Sequence, residues 1–230
     1  MAIGNLDYKP AKLSIEVTNP VEESYRMHAC AKESWTVDFI EAIQPGAVFW
    51  DVGANTGPYT LIAAHRNLTT IAIEPGFNNY AALCRNLAMN NLLDRCVTLC
   101  LALGAQSGFA WLDYSDMRQG AASHKLGETR KQHFHRQLIP VWAWDELEQR
   151  LPLPADRPQF AKIDVDGNEL AVLKGAPGLL ANPLLQGLIV EMHADTEAEI
   201  TALLGQAGLR LAARFDERNG QSIGDIAYGR

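Results

Sequence analysis

Apolar and polar positions alternate in two rhythms along most of this chain. Residues 47–52, "AVFWDV", form an apolar run that ends beside an acid, the pattern of a strand buried on both faces. Residues 58–65 follow at helical spacing, with Pro58 where a first turn accepts proline. Residues 69–73 read as a second strand. Residues 77–91 read as a helix, because Tyr80, Leu83, Cys84, Leu87 and Ala88 recur on one face. Strands are then expected at 97–101, 160–165 and 187–192, with helices opening at 169–174 and spanning 197–206. Two last strands, 209–215 and 223–228, are joined by "NGQS", a hairpin turn signal.

Strand–helix alternation predicts an α/β fold with a doubly wound, mostly parallel sheet. The first 20 residues read as irregular, with Pro10 and Pro20 as punctuation. Residues 22–43 are loosely helical through Tyr25, Cys30, Val37, Ile40 and Ile43, and "QPG" ends them. Residues 1–45 are therefore expected to be a helical extension packed on a main domain at 46–230. Between 105 and 159 the alternation breaks. "GFAWLDYS" and "QLIPVWAW" are candidate short strands, the second with Trp142 and Trp144 on one face. Residues 115–137 carry few apolar side chains, and a segment of that kind inside a domain reads as a lid or substrate insertion.

Composition narrows the classes. Of 230 residues, 47% are hydrophobic, enough for a sizeable core. Net charge is 20 − 27 = −7, which disfavours extensive phosphate contact and hence nucleic acid. No apolar run has the ~20 residues of a membrane span, and no signal-peptide pattern opens the chain, so a cytoplasmic protein is expected. The four cysteines form no C-x-x-C pair and read as buried free thiols.

Chemistry gathers at the predicted strand ends. Asp51, Gly53, Asn55 and Gly57 stand where the first strand meets its helix, the ligand-binding edge of a doubly wound sheet. Glycines allow a sharp turn and a close ligand, and the helix start offers free N–H groups. The turn reads G-A-N-T-G rather than G-x-G-x-x-G. An acid two residues before it would repel a pyrophosphate and suits an ammonium. A ligand with amino, carboxylate, ribose and sulfonium groups fits: S-adenosylmethionine. Glu74 ends the second strand 74 − 51 = 23 residues later, placed to accept from a ribose diol. Thr56, Pro75, Leu103 and Asp164 complete the expected cofactor-binding set.

"KIDVDGNELAVLKGA" puts Asp164 and Asp166 at the exit of the fourth strand and Glu169 in the next helix turn. Capping by Asp166 or Asn168 would explain part of it. "LIVEMH" puts Glu191 and His193 two residues apart at the fifth strand's end. With strands four and five adjacent, these side chains should share one cleft.

On "DVGANTGPYT", "AIEP" with its asparagine-rich helix, and "KIDVDGNELAVLKGA", the chain resembles the FkbM-type methyltransferases, S-adenosylmethionine-dependent O-methyltransferases of class I fold. The resemblance runs from about residue 47 to 192. The family's usual D-V-E-G-x-E or D-T-E-G-x-E has Asp166 here in place of the glutamate. It implies a Rossmann-like sheet of order 3-2-1-4-5-7-6 closing in an antiparallel hairpin. Residues 1–45 and 105–159 fall outside the likeness and are expected to choose the substrate.

The expected reaction is O-methylation of a hydroxyl on a small, sugar-like or anionic acceptor. His193 is the first candidate for the base because imidazole titrates near neutrality, followed by Asp164, with Glu191 beside them. Alternatively Asp164, Asp166 and Glu191 would hold Mg²⁺. "SHKLGETRKQHFHR", with Lys125, Arg130, Lys131 and Arg136 among His124, His133 and His135, reads as an anion clamp or a solvated loop. A nicotinamide-dependent oxidoreductase and a non-catalytic binder of the same cofactor are the competing readings, and a homodimer is left open.

Overall fold

The computed structural model describes residues 2–122, 124–127, 135–154, 156–215 and 222–230, with 222–224 described by backbone alone. The chain starts with β1 (Ala2–Asn5) and β2 (Ser14–Val17), then a π-type turn at Glu22–Arg26 and two short helices, α1 (Ala29–Lys32) and α2 (Ser34–Ala42). Two βα units and a third strand follow: β3 (Val48–Val52) with α3 (Pro58–His65), β4 (Thr69–Ile73) with α4 (Phe77–Met89), and β5 (Cys96–Leu99). Next come β6 (Ala102–Leu103), β7 (Gly108–Tyr114), β8 (Lys125–Leu126), β9 (His135–Trp142) and α5 (Trp144–Glu148). The chain ends with β10 (Gln159–Ile163), α6 (Glu169–Lys174), α7 (Pro177–Ala181), β11 (Leu185–His193), α8 (Glu197–Gln206), β12 (Arg210–Arg214) and β13 (Ser222–Gly229).

Seven strands form the main sheet in the order β12-β13-β11-β10-β3-β4-β5. Counted in chain order along this sheet, that is 3-2-1-4-5-7-6. β10, β3, β4, β5 and β11 run parallel, and β13 is antiparallel to both its neighbours. Both faces are covered, so β3 is buried at all five positions. Its period-2 alternation sends Val48, Trp50 and Val52 into one core and Phe49 into the other. Trp50 meets Trp144 there at 4.8 Å between rings. Each such fully buried large side chain contributes about 1.5–3 kcal/mol.

Three expectations change. The first 20 residues are not irregular: β1 and β2 pair antiparallel, and the Ser14 and Glu16 N–H groups donate to the side chains of Asn90 and Asn86 on the α4 side. That partner lies 70 or more residues away, so local patterning carried no trace of it. Residues 105–159 hold both candidate short strands, as β7 and β9, and these do not stand alone. β6, β9, β7 and β8 form a second, four-stranded sheet over the first. Trp144 does not share a strand face with Trp142, because β9 ends at Trp142 and Trp144 begins α5. Residues 219–221 of the "NGQS" turn lie outside the described residues, as do Arg130, Lys131 and His133.

Candidate functional site

A cavity opens at the carboxyl ends of β3, β4, β10 and β11, roofed by Arg26 and Lys32 of the N-terminal segment and by Ala121, Ala122, His124 and Leu126. One wall is mostly backbone. Gly53 has φ +88°. A Cβ there would run into the carbonyl oxygen of Asp164, so β3 and β10 can approach only through glycine. Asn55 takes a left-handed conformation, φ +52°, and its N–H donates to Glu74 Oε2 at 2.9 Å. The Gly76 N–H donates to the other oxygen at 2.8 Å. Burial pushes the Glu74 carboxyl up to about 7 against those two bonds. Gly53, Asn55, Glu74, Pro75 and Leu103 all line the cavity.

Asp51, Thr56 and Gly57 do not line it, which corrects their expected direct contact. Asp51 lies on the Phe49 face of β3, beneath α3, and Thr60 Oγ1 donates to it at 2.5 Å. Burial raises its pKa, opposed by the nearby Lys162 ammonium. Gly57 is needed at φ +87° where α3 begins, and a Cβ there would strike Leu83. Thr56 Oγ1 and Asp51 Oδ1 are buried without a hydrogen-bond partner among the described residues. A carboxylate with spare lone pairs at Glu74 and an apolar floor of Val52, Ile73 and Leu103 suit an amphiphilic nucleoside.

The opposite wall is side-chain charge. Asp164, Asp166 and Glu191 line the cavity. The parallel register Ile163↔Val190 sets Asp164 beside Glu191. Lys162, buried to 2% exposure in the middle of β10, donates to Asp164 Oδ2 at 2.7 Å and sits 5.2 Å over the Tyr59 ring. Although burial opposes it, this ammonium holds the Asp164 carboxyl well below the carboxylate range. Glu191 is pushed the other way, up to about 9, by burial first and then by Asp164 and Glu169. The two carboxyls face each other, and burial with the neighbouring carboxylates favours the protonated form of Glu191.

Glu169 is 1% exposed and its Oε1 accepts from the N–H groups of Val165 and Gly167, both at 3.0 Å. It straps down the loop that carries Asp164 and Asp166. Asn168 makes no capping bond; its side chain donates to the Leu103 carbonyl instead.

His193, the first candidate for the base, stands behind this wall. Its Nε2 lies 3.5 Å from Glu191 Oε2 and 3.9 Å from Glu169 Oε2, and the ring does not line the cavity. It shares its side of β11 with Glu191, as the two-residue spacing predicts. The expected Mg²⁺ set also changes. Among the described residues, Glu169, Glu191 and His193 bring ligand atoms within 4.8 Å of one another, whereas Asp164 and Asp166 do not join them. Lys162 engages Asp164, and Asp166 turns at φ +57° with its carbonyl accepting from Lys125. A set containing imidazole is not the all-oxygen cage that Mg²⁺ favours.

The expected anion clamp is redistributed as well. Arg136 pairs with Asp113 at 2.8 Å and stacks over Trp111. His124 lines the cavity, but burial lowers its pKa to about 4. The cations that do face the cavity, Arg26 and Lys32, come from the N-terminal segment and escaped sequence reasoning. Lys162 escaped it too, although a lysine inside the apolar "FAKIDV" was a visible signal. No helix among the described residues is long and apolar enough to cross a membrane.

The family model described as the methyltransferase FkbM domain matches residues 51–212. The hexuronic acid methyltransferase AglP of Haloferax volcanii is 28% identical over 191 residues, 82% of this chain and 74% of that protein. Among solved structures, magnesium protoporphyrin IX methyltransferase from Synechocystis PCC 6803, with SAM bound, aligns at TM-score 0.53 and 14% identity, over 94% of this chain and 86% of that one. The N-terminal domain of human METTL16 with SAH aligns at TM-score 0.51 and 15% identity, over 94% and 75%. Both likenesses are of fold.

Proposed function

Because this chain belongs to the FkbM methyltransferase family, we propose that it transfers a methyl group from S-adenosylmethionine to a hydroxyl of a sugar-type acceptor. The observation that carries this reading is the Asp164–Glu191 pair across one cavity from Glu74. Glu74, Asn55, Gly53, Pro75 and Leu103 would hold the donor, with Glu74 accepting from its ribose hydroxyls. When bound, S-adenosylmethionine supplies an electrophilic methyl group on a sulfonium. The hexuronic acid named for AglP supports a sugar as the other reactant.

Asp164 is the fixed anion. Its oxygens accept a hydrogen bond from the acceptor hydroxyl and orient it, and orientation supplies much of the rate. Its weak proton affinity makes it a poor base. Glu191 has the stronger affinity and, once ionised, takes the hydroxyl proton. His193, 3.5 Å behind Glu191, positions that carboxyl.

Labelled S-adenosylmethionine offered with a panel of glycosides tests the activity: methyl transfer to sugar oxygen is expected, and transfer to nitrogen or carbon acceptors alone would refute it. Because Glu191 holds its proton up to about 9, kcat/KM should climb with pH toward a plateau above that value. Glu191→Gln should flatten the climb and lower kcat by about 10²–10⁴-fold while S-adenosylhomocysteine still binds.

A further inference from the structure

We propose that Arg26 and Lys32 receive a carboxylate carried by the acceptor, so that the site selects uronic-acid-type sugars over neutral ones. The inference rests on the proposed transfer to a sugar hydroxyl, and adds which second group of the sugar is read and by which side chains.

Charge places that group. Among the described residues, Arg26 and Lys32 are the cavity-lining cations apart from His124, which is neutral near pH 7. Of the four cavity-lining carboxyls, Lys162 offsets Asp164 and burial favours the protonated forms of Glu191 and Glu74, so two cations face the Asp166 carboxylate. Arg26 pairs with no carboxylate among the described residues. Its Nε and Nη2 both donate to a neutral acceptor, the Gly120 carbonyl, at 3.0 and 2.7 Å. Its positive charge is therefore not cancelled at source, and the second edge of its fork is left for a planar anion. Lys32 contacts Glu33 at 3.1 Å, and Glu33 is off the cavity wall.

Rigidity is the second argument. The N-terminal segment and residues 117–121 are clasped together rather than merely adjacent. Asn19 Nδ2 donates to the Gln119 carbonyl, and Gln119 Nε2 donates to both Glu16 and Glu22, which are fully buried. Arg85 on α4 closes the ring by donating to Glu16 and Gln119. The Gly120 N–H donates to Asn79 Oδ1, and the Ala121 carbonyl accepts from Asn79 and from Asn55. Asn55 also touches Glu74, so the roof that aims Arg26 is tied to the donor turn itself. A guanidinium held on both sides in advance loses little entropy when an anion arrives. The clasp joins the N-terminal stretch, outside the matched family region 51–212, to residues within it.

The test uses p-nitrophenyl β-D-glucuronide and p-nitrophenyl β-D-glucoside as acceptors with the full chain. The wild type should prefer the glucuronide by about tenfold or more in kcat/KM, and the preference should shrink as salt is raised. Lys32→Met and Arg26→Met should each raise KM for the glucuronide about tenfold and change that for the glucoside by much less. Equal use of both sugars by the wild type, or equal loss on both in the variants, overturns the proposal. Saturation-transfer NMR on the S-adenosylhomocysteine complex separates it from the activity. Glucuronide binding that depends on Lys32 without any turnover keeps this inference and removes the proposed reaction. Absence of binding, or binding indifferent to Lys32→Met, removes the inference.

Discussion

The two walls of the cavity are made of different materials. On the donor side the chain bends its backbone: Gly53 at φ +88° and Asn55 at φ +52° bring peptide groups to the ligand edge, and one carboxylate, Glu74, is fastened by two of those N–H groups. On the acceptor side the backbone also turns, at Asp166 and Gly167, but the work is done by the side chains of Lys162, Asp164, Glu169 and Glu191, of which Lys162 and Glu169 are almost completely buried. A backbone wall tolerates no added atom but carries little charge. A charged wall tolerates small changes of shape but fails when one ion is removed. The two should therefore break differently.

Lys162→Met should give the largest effect. Removing the ammonium leaves the buried Asp164 and Asp51 without their counter-charge, and breaking a buried pair costs about 3–5 kcal/mol. Urea unfolding measures it. The pH sign follows from Asp164, whose folded pKa is depressed below 3.8. Its stabilisation is present above that value and lost as pH falls through the folded pKa. The gap between wild type and variant should be full at neutral pH and narrow in strong acid. A gap that is constant with pH would mean that Lys162 acts by packing alone and that the wall is not electrostatic.

Gly53→Ala comes next and tests the other material. Forcing a β-carbon into φ +88° costs about 1–3 kcal/mol, and the collision with the Asp164 carbonyl adds to it. Because that carbonyl belongs to β10, the variant should push the walls apart and weaken S-adenosylhomocysteine binding, read by calorimetry. The expected loss is independent of pH and salt. Retained affinity would show that the turn does not set the spacing of the walls.

The same contrast explains what could be read from the sequence. Backbone demands leave residue types behind, so "DVGANTG" announced Gly53 and Asn55, and the strand-ending acid announced Glu74. Periodicity delivered every strand of the main sheet and the helices α3, α4, α6 and α8, because each is a local pattern, but not the short α7. Direction within that pattern was harder: Asp51 was expected at the ligand, yet alternation along β3 turns it under α3 toward Thr60. Periodicity did put His193 on the Glu191 side of β11, but not which of the two lines the cavity. The roof was not legible at all. Arg26, Lys32 and Gln119 reach the cavity through bonds spanning about a hundred residues, such as Gln119 to Glu16, and no local signal encodes those.

Glu74→Gln should produce the smallest change and is the sharpest probe of the boundary between the walls, since Glu74 is the donor side's one buried charge. The amide keeps one acceptor for a ribose hydroxyl and turns the other oxygen into a donor facing a backbone N–H. S-adenosylhomocysteine affinity should fall about tenfold, the order of one charge-assisted hydrogen bond. Stability should move in the opposite direction with pH to that seen for Lys162. The folded pKa of Glu74 is raised from 4.5 to about 7, so its favourable protonated state is complete below 4.5 and is lost as pH rises through about 7. The glutamine cannot ionise. The variant's deficit, measured by thermal unfolding, should therefore be greatest near pH 4 and shrink by pH 8. If instead the deficit grows with pH, Glu74 is stabilised as an anion, the two N–H bonds outweigh its burial, and the donor wall is as electrostatic as the acceptor wall.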